Sequence, residues 1–177
     1  FYAIPVIAQL GLAVYGHSSL PLPPKFGITF EEILQNHYKV GDGKADRPLL
    51  EKHRFGYLST RDTLPQLEVL RSLRIEIVKR PMLATLEKIL MPLKARKNIL
   101  ATTYFHRGYE VALTEIGKLS QFDKVIIGNG MEGTTLFGVH KETKVFIQDK
   151  AGEAEQKSLS LKTLYDEETA RRIAKAQ

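Results

Sequence analysis

The feature that most constrains the fold is an alternation of β-rich and helical patterns in the middle of the chain. A β-rich segment, Ile99–Tyr104, precedes a helical apolar pattern over Tyr109–Leu119, and residues 124–127 form a second β-rich segment. Strand, helix and strand in this order predict a right-handed crossover with parallel strands. We therefore expect an α/β fold, with a mostly parallel central sheet flanked by helices and ligands at the carboxyl ends of the strands.

Other patterns predict the remaining elements. Thr29 and Glu32 form a capping-box pattern that predicts a helix over 29–35. In the first half of the chain we expect a strand at 12–15, a proline-stiffened loop at 16–27, a helix at 60–73 with leucines three apart, and a short helix between Pro81 and Pro92. In the second half we expect a hairpin of 136–139 with 144–148 and a terminal helix at 166–176.

Length and composition predict one domain over residues 1–177, with a polar loop at 41–54 and a linker at 150–158 before the terminal helix. The 177 residues and 43% hydrophobic content suffice for a single core. The absence of cysteine excludes disulfides and thiolate metal sites, and it predicts a reducing compartment, the cytoplasm. The apolar residues 1–15 are too short to cross a bilayer, so no membrane partner is expected.

An arginine, Arg80, stands at the entrance of the helix that ends at Pro92. Arg80, Leu86, Leu90 and Pro92 fit the pattern R-x-x-x-N-x-L-x-x-L-L-N-P of the anthranilate phosphoribosyltransferase family, in glycosyltransferase family three. Residues 13–34 resemble the family segment V-V-K-H-G-N-R-S-V-S-S-K-S-G-S-A-D-x-L, and residues 123–133 resemble its V-V-H-G-x-D-G-L-D-E loop. The three segments keep the family's order and spacing over residues 1 to 150.

The resemblance implies a nucleoside phosphorylase or phosphoribosyltransferase-like fold that lacks its N-terminal helical region. A first strand with a glycine-rich phosphate loop is then expected before Phe1. The complete parent chain would transfer phosphoribose from phosphoribosyl pyrophosphate to an aromatic amine, with magnesium and as a homo-oligomer. The isolated chain is expected to be inactive.

The resemblance also implies which residues meet the phosphorylated substrate, while no residue is assigned a catalytic role. Glu132 is the metal ligand, left alone where the family has an acidic pair, and one carboxylate is a poor magnesium site. The implied substrate-binding residues are Gly16, His17, Ser18, Ser19, Lys25 and Arg80. For the segment of Gly16 to Lys25, a plain connecting loop is an equal alternative.

The positions at which this sequence departs from the family pattern indicate a second possible function. Ala84 and Met91 replace asparagines of the family pattern, and the acidic pair is incomplete, as in a divergent branch associated with nucleic-acid binding. The net charge of +6 favours anionic partners. The cations assigned to backbone phosphates in this alternative are Lys79, Lys88, Lys94, Arg96 and Lys97. A solvated basic face, or a structural half-domain that acts through assembly, are the remaining interpretations.

One further segment is left open. The residues His106, Arg107 and Gly108 follow the strand Ile99–Tyr104, at the end where open sheets bind ligands. An exposed arginine before a helix explains the same pattern, and we prefer that reading from the sequence alone.

Overall fold

The computed structural model describes residues 3–23, 27–34, 36, 47–79, 82–131, 137, 142–150, 152–160, 168–169 and 172. The chain divides into two compact units, Phe1–Pro92 and Leu93–Gln177, and each is described by itself. Among the described residues the strands form two sheets, one a parallel pair and the other mixed with four strands. Helices accompany both sheets, so the fold is α/β, as predicted.

The first unit contains the parallel pair. Its strands run in register from Val14 opposite Phe55 to Ser18 opposite Ser59, so both end at the same edge. Helices α1 and α2 contact β1, and α3 contacts β2. The elements are α1 (Ala3–Gln9), β1 (Val14–Ser18), α2 (Phe30–Ile33), α3 (Arg47–His53), β2 (Phe55–Ser59), α4 (Thr60–Thr63), α5 (Pro65–Glu68), α6 (Arg71–Ile77) and α7 (Leu83–Leu86), which continues as a 3-10 turn over Glu87–Ile89.

Strand β1 begins two residues later than predicted and continues into the expected loop 16–27. Its middle residue, Gly16, packs against a neighbouring ring: a Cβ at Gly16 would lie 3.0 Å from the Phe30 ring and 3.4 Å from Ile4 Cδ1. Gly16 therefore lies in a strand and not in a loop, and its role in substrate binding stays a prediction. This glycine allows α1 and α2 to pack closely on the strand.

The expected capping box of α2 is confirmed. Glu32 N donates to Thr29 Oγ1 (3.3 Å), and Thr29 N donates to the Glu32 carboxylate (2.8 Å). In contrast, the polar loop predicted at 41–54 contains α3 over half of its length. The segment is expected to be a loop because it is polar and charged. Lysine and glutamate are nevertheless good helix formers, so this composition is compatible with a helix.

The continuous helix expected over 60–73 is broken into α4, α5 and the start of α6. The break falls at Leu64, with φ −141° and ψ 64°. Because Leu64 precedes Pro65, the proline ring disfavours helical geometry there. The helix expected between Pro81 and Pro92 is present as α7 and its 3-10 turn, which ends where Leu90 becomes extended (ψ 148°).

The second unit contains the mixed sheet. Its elements are β3 (Ile99–Tyr104), α8 (Tyr109–Leu119), β4 (Lys124–Asn129), β5 (Thr143–Asp149) and β6 (Glu155–Leu159), with sheet order β3-β4-β5-β6. The predicted parallel pairing of β3 with β4 through a helix is confirmed. Strand β5 pairs antiparallel with both β4 and β6, so this sheet is mixed instead of mostly parallel.

Two expectations for this unit need correction. The polar segment 150–158 includes most of β6, whose five residues are all exposed, so it lacks the alternating apolar pattern of a half-buried strand. The hairpin expected between 136–139 and 144–148 is replaced by pairing of β5 with β4, while Phe137 bridges to Gly130. Most of the predicted terminal helix lies outside the described residues.

Close packing in the second unit depends on glycines. A Cβ at Gly117 of α8 would lie 3.2 Å from Val125 Cγ2, so the helix approaches β4 closely. A Cβ at Gly128 would overlap the ring of Phe137, closer than two non-bonded carbons can lie. Around these contacts the core is formed by Leu113, Val125 and Ile127.

This packing gives a stability prediction. Gly128→Ala should lower the free energy of unfolding by about 1–3 kcal/mol, the usual cost of overpacking, because Phe137 must move. Gly152→Ala is the matched control, since a Cβ at Gly152 meets nothing within 4 Å. Urea denaturation measures both variants. Equal stabilities of the two would show that Phe137 does not pack on Gly128.

Candidate functional site

A loop held in place by its own side chains precedes β3. Ala95 N donates to Asn98 Oδ1 (2.7 Å), and Asn98 Nδ2 donates back to the Ala95 carbonyl (2.9 Å). Asn98 N donates to Asp123 Oδ2 (2.7 Å), which ties the loop to the start of β4. The backbone of this loop is therefore fixed at the amino ends of the two parallel strands.

The loop carries three exposed cations, Lys94, Arg96 and Lys97. Lys94 Nζ donates to Gln121 Oε1 (2.6 Å), a neutral partner. Within the part of the chain that the structure describes, Arg96 and Lys97 have no hydrogen-bonding or ionic partner for their side chains. The full charges of all three thus face solvent.

A fourth cation joins them from another segment. Lys150 N donates to the Asp123 carbonyl (3.0 Å), and Asp123 N donates to the Asn98 carbonyl (2.8 Å). The turn after β5 therefore lies beside the loop before β3. We call Lys94, Arg96, Lys97 and Lys150 the basic edge. Sequence reasoning missed Lys150 because no local pattern connects it to a loop some fifty residues earlier.

Two carboxylates that adjoin the basic edge, Asp123 and Asp149, already have partners. Asp123 accepts the Asn98 N–H, and Asp149 lies 3.1 Å from Lys124 Nζ in an ion pair. Lys124 and Asp149 compensate each other, so they leave the charge of the basic edge unchanged. The arrangement can attract an extended anion at the surface by several simultaneous, well-solvated contacts.

The five predicted phosphate-binding cations divide between the two units. Lys79 and Lys88 are exposed, but they belong to the first unit, whereas Lys94, Arg96 and Lys97 belong to the second. Three of the five predicted residues therefore lie on one loop.

A second polar cluster lies in the first unit, where β1 and β2 end together. The Glu31 carboxylate, 1% exposed, accepts hydrogen bonds from Ser59 Oγ (3.3 Å) and Arg61 Nη2 (2.8 Å). The Tyr57 hydroxyl lies 3.0 Å from Glu31 Oε2 and 3.0 Å from Ser18 Oγ. The same hydroxyl lies 3.0 Å from the Ser18 carbonyl oxygen, a second acceptor for its single proton. Because an ionised carboxylate is the stronger acceptor, Tyr57 donates to Glu31, and its oxygen accepts from the Ser18 hydroxyl.

Electrostatics fix the protonation states in this cluster. Burial raises the pKa of the Tyr57 phenol, and the Glu31 carboxylate adds to that rise, so Tyr57 remains a donor at neutral pH. His17 lies opposite Leu58 in the strand register. Burial lowers the pKa of His17, which favours its neutral form near pH 7. Neither group adds a cation to this end of the sheet.

These contacts change the interpretation of the predicted substrate loop. His17 and Ser18 lie in β1, not in a loop, and Ser19 follows directly and is half-buried. The Ser18 hydroxyl is used by Tyr57, next to a buried carboxylate that would repel a diphosphate. The described residues thus form an internally satisfied polar cluster at the position expected for an open anion site.

Three predicted residues, Lys25, Arg80 and Glu132, lie outside the described residues, so their roles remain predictions. Elsewhere, over the described ranges, no three His, Asp or Glu side chains gather in an arrangement suited to a metal ion. The described residues offer no cluster that fits magnesium, and that expectation stays with Glu132.

Comparison with known proteins gives no relative: no protein-family model and no curated protein sequence matches this chain. No helix within the described ranges has both the length and the apolar character needed to cross a bilayer.

The buried cluster gives a second stability prediction. Tyr57→Phe should lower the free energy of unfolding by about 1–3 kcal/mol, because Glu31 loses a buried donor and Ser18 loses its acceptor. Tyr109→Phe removes a hydroxyl from a half-exposed ring with no hydrogen bond to described residues, so its change should stay within about 0.5 kcal/mol. Thermal and urea unfolding of the two variants test this. Equal effects would show that the Tyr57 hydroxyl is not bonded to Glu31.

Proposed function

We propose that this chain binds the phosphate backbone of nucleic acid, as a non-catalytic relative of the anthranilate phosphoribosyltransferase-like proteins. The observation that carries the proposal is the basic edge, on which four exposed cations lack acidic partners among the described residues. A polyanion with regularly spaced charges fits such a surface better than one small ligand, which needs a concave pocket.

The form of the basic edge supports binding without sequence preference. Its cations come from a loop and a turn, and not from a helix that could place side chains against the edges of base pairs. Lysine and arginine on an ordered loop neutralise phosphates and fix the position of the strand, but they carry no sequence information. We therefore expect weak, salt-sensitive affinity for any DNA.

Phosphoribosyl transfer by the complete parent chain is the second candidate. In its favour, Ser18 and Ser59 end two parallel strands at one edge, where α/β proteins bind ligands. Against it, the buried Glu31 carboxylate occupies that edge and holds Arg61 in an ion pair. Magnesium-dependent turnover of phosphoribosyl pyrophosphate with anthranilate, above a heat-killed control, would favour transfer. We expect none from this chain.

Salt dependence tests the proposal directly. Four phosphate contacts predict a slope of about −3.6 for the logarithm of duplex DNA affinity against the logarithm of salt concentration, from about −0.9 for each contact. Lys94→Gln combined with Lys97→Gln removes two of the four contacts, so the slope should become shallower, at about −1.8. Fluorescence anisotropy with a labelled duplex at several salt concentrations measures both slopes.

The matched control is Lys118→Gln combined with Lys157→Gln. It removes the same net charge, but Lys118 pairs with Glu115 (2.7 Å) and Lys157 with Glu155 (3.4 Å), so neither contributes a free charge. The control should keep the original slope. Equal losses in the two double variants would mean that net charge alone attracts DNA, and absence of binding at low salt would eliminate the proposal.

A further inference from the structure

Three exposed rings cluster at the opposite end of β3 from the basic edge. The Phe105 and His106 ring centroids are 5.1 Å apart with an interplanar angle of 74°, and those of His106 and Tyr109 are 6.0 Å apart at 50°. Phe105 and Tyr109 are each 46% exposed, and His106 is exposed. Water therefore reaches a group of aromatic side chains that packing in this unit leaves uncovered.

A cation and open backbone complete this surface. Arg107 lies between the rings in sequence, is exposed, and has no side-chain partner anywhere in the described part of the chain. Gly108 follows with φ +94°, and a Cβ there would meet nothing within 4 Å. We call Phe105, His106, Arg107 and Tyr109 the aromatic turn. The space beside Gly108 is therefore not filled by any described group.

The electrostatics at this point favour a neutral flat ligand over a phosphate. Helix α8 begins at Tyr109, and its first turn is occupied by the Glu110 carboxylate, which accepts the Gly108 N–H (2.8 Å). That carboxylate already fills the position where a helix N-terminus attracts an anion. Rings and a guanidinium plane remain, and these are the groups on which unpaired nucleobases stack.

We propose that the aromatic turn binds an unpaired nucleobase of a single strand whose phosphates lie on the basic edge. For the binding of a nucleic-acid strand, this inference rests on the proposed function, and it adds a site for an unpaired base to the basic edge. The two surfaces lie at opposite ends of β3, whose six residues span about 17 Å at about 3.3 Å per residue. A strand of several nucleotides covers that distance.

The test compares two twelve-nucleotide strands, oligothymidine and an abasic strand with the same phosphates. Phe105→Ala combined with Tyr109→Ala should weaken oligothymidine binding about 10-fold, within the range that alanine substitution of stacking residues produces. Affinity for the abasic strand should stay the same. Val111→Ala combined with Leu119→Ala, two exposed apolar positions of α8, should affect neither strand.

Phe105→Tyr combined with Tyr109→Phe keeps both rings and should keep wild-type affinity, which separates ring loss from misfolding. Equal weakening of both strands by the alanine variant, or no weakening of either, would overturn the aromatic turn while the basic edge stands. Free adenosine separates the two proposals further: it should quench tyrosine fluorescence, and less so in Tyr109→Phe. Adenosine binding without any strand binding would overturn the backbone proposal and the single-strand part of this one, and it would leave the aromatic turn as a site for a free nucleobase. Absence of both would overturn both proposals.

Discussion

The parallel pairing of β3 and β4, closed by α8, is the constraint on which the proposed surfaces depend. It places the amino ends of both strands together, where Asn98 and Asp123 fix the loop of the basic edge. It also places the aromatic turn at the carboxyl end of β3, directly before α8. Gly117 permits this arrangement, since a larger residue would push α8 away from Val125. Two chemically different surfaces thus follow from one crossover.

Charge placement distinguishes the two polar regions of the chain. Glu31 is almost fully buried, and a buried carboxylate is stable only when hydrogen bonds and a counter-charge compensate it, which Tyr57, Ser59 and Arg61 provide. Removing any one of these donors leaves a desolvation cost, so the cluster stabilises the first unit. The cations of the basic edge have the opposite character: they remain hydrated and accessible, and they are available to a partner.

The sequence predicts the elements whose patterns are local. The helix Tyr109–Leu119, the strand Ile99–Tyr104 and the capping box at Thr29 all follow from periodicity or from residues a few positions apart. Strand β6 was missed because it lacks an apolar alternation, and Leu64 broke a helix through the effect of the next proline. Lys150 and the Glu31 cluster needed the tertiary fold, because their hydrogen-bonding partners lie about 25 to 30 residues away in the chain.

Backbone amide chemical shifts, followed while a twelve-nucleotide single strand is added, test the central claim most directly. We expect the largest changes at residues 94–98, at Lys150 and at residues 105–109, with little change at the ends of β1 and β2. Changes centred on Ser18 and Ser59, with the basic edge and the aromatic turn unaffected, would contradict it and would move the ligand site to the parallel pair of the first unit.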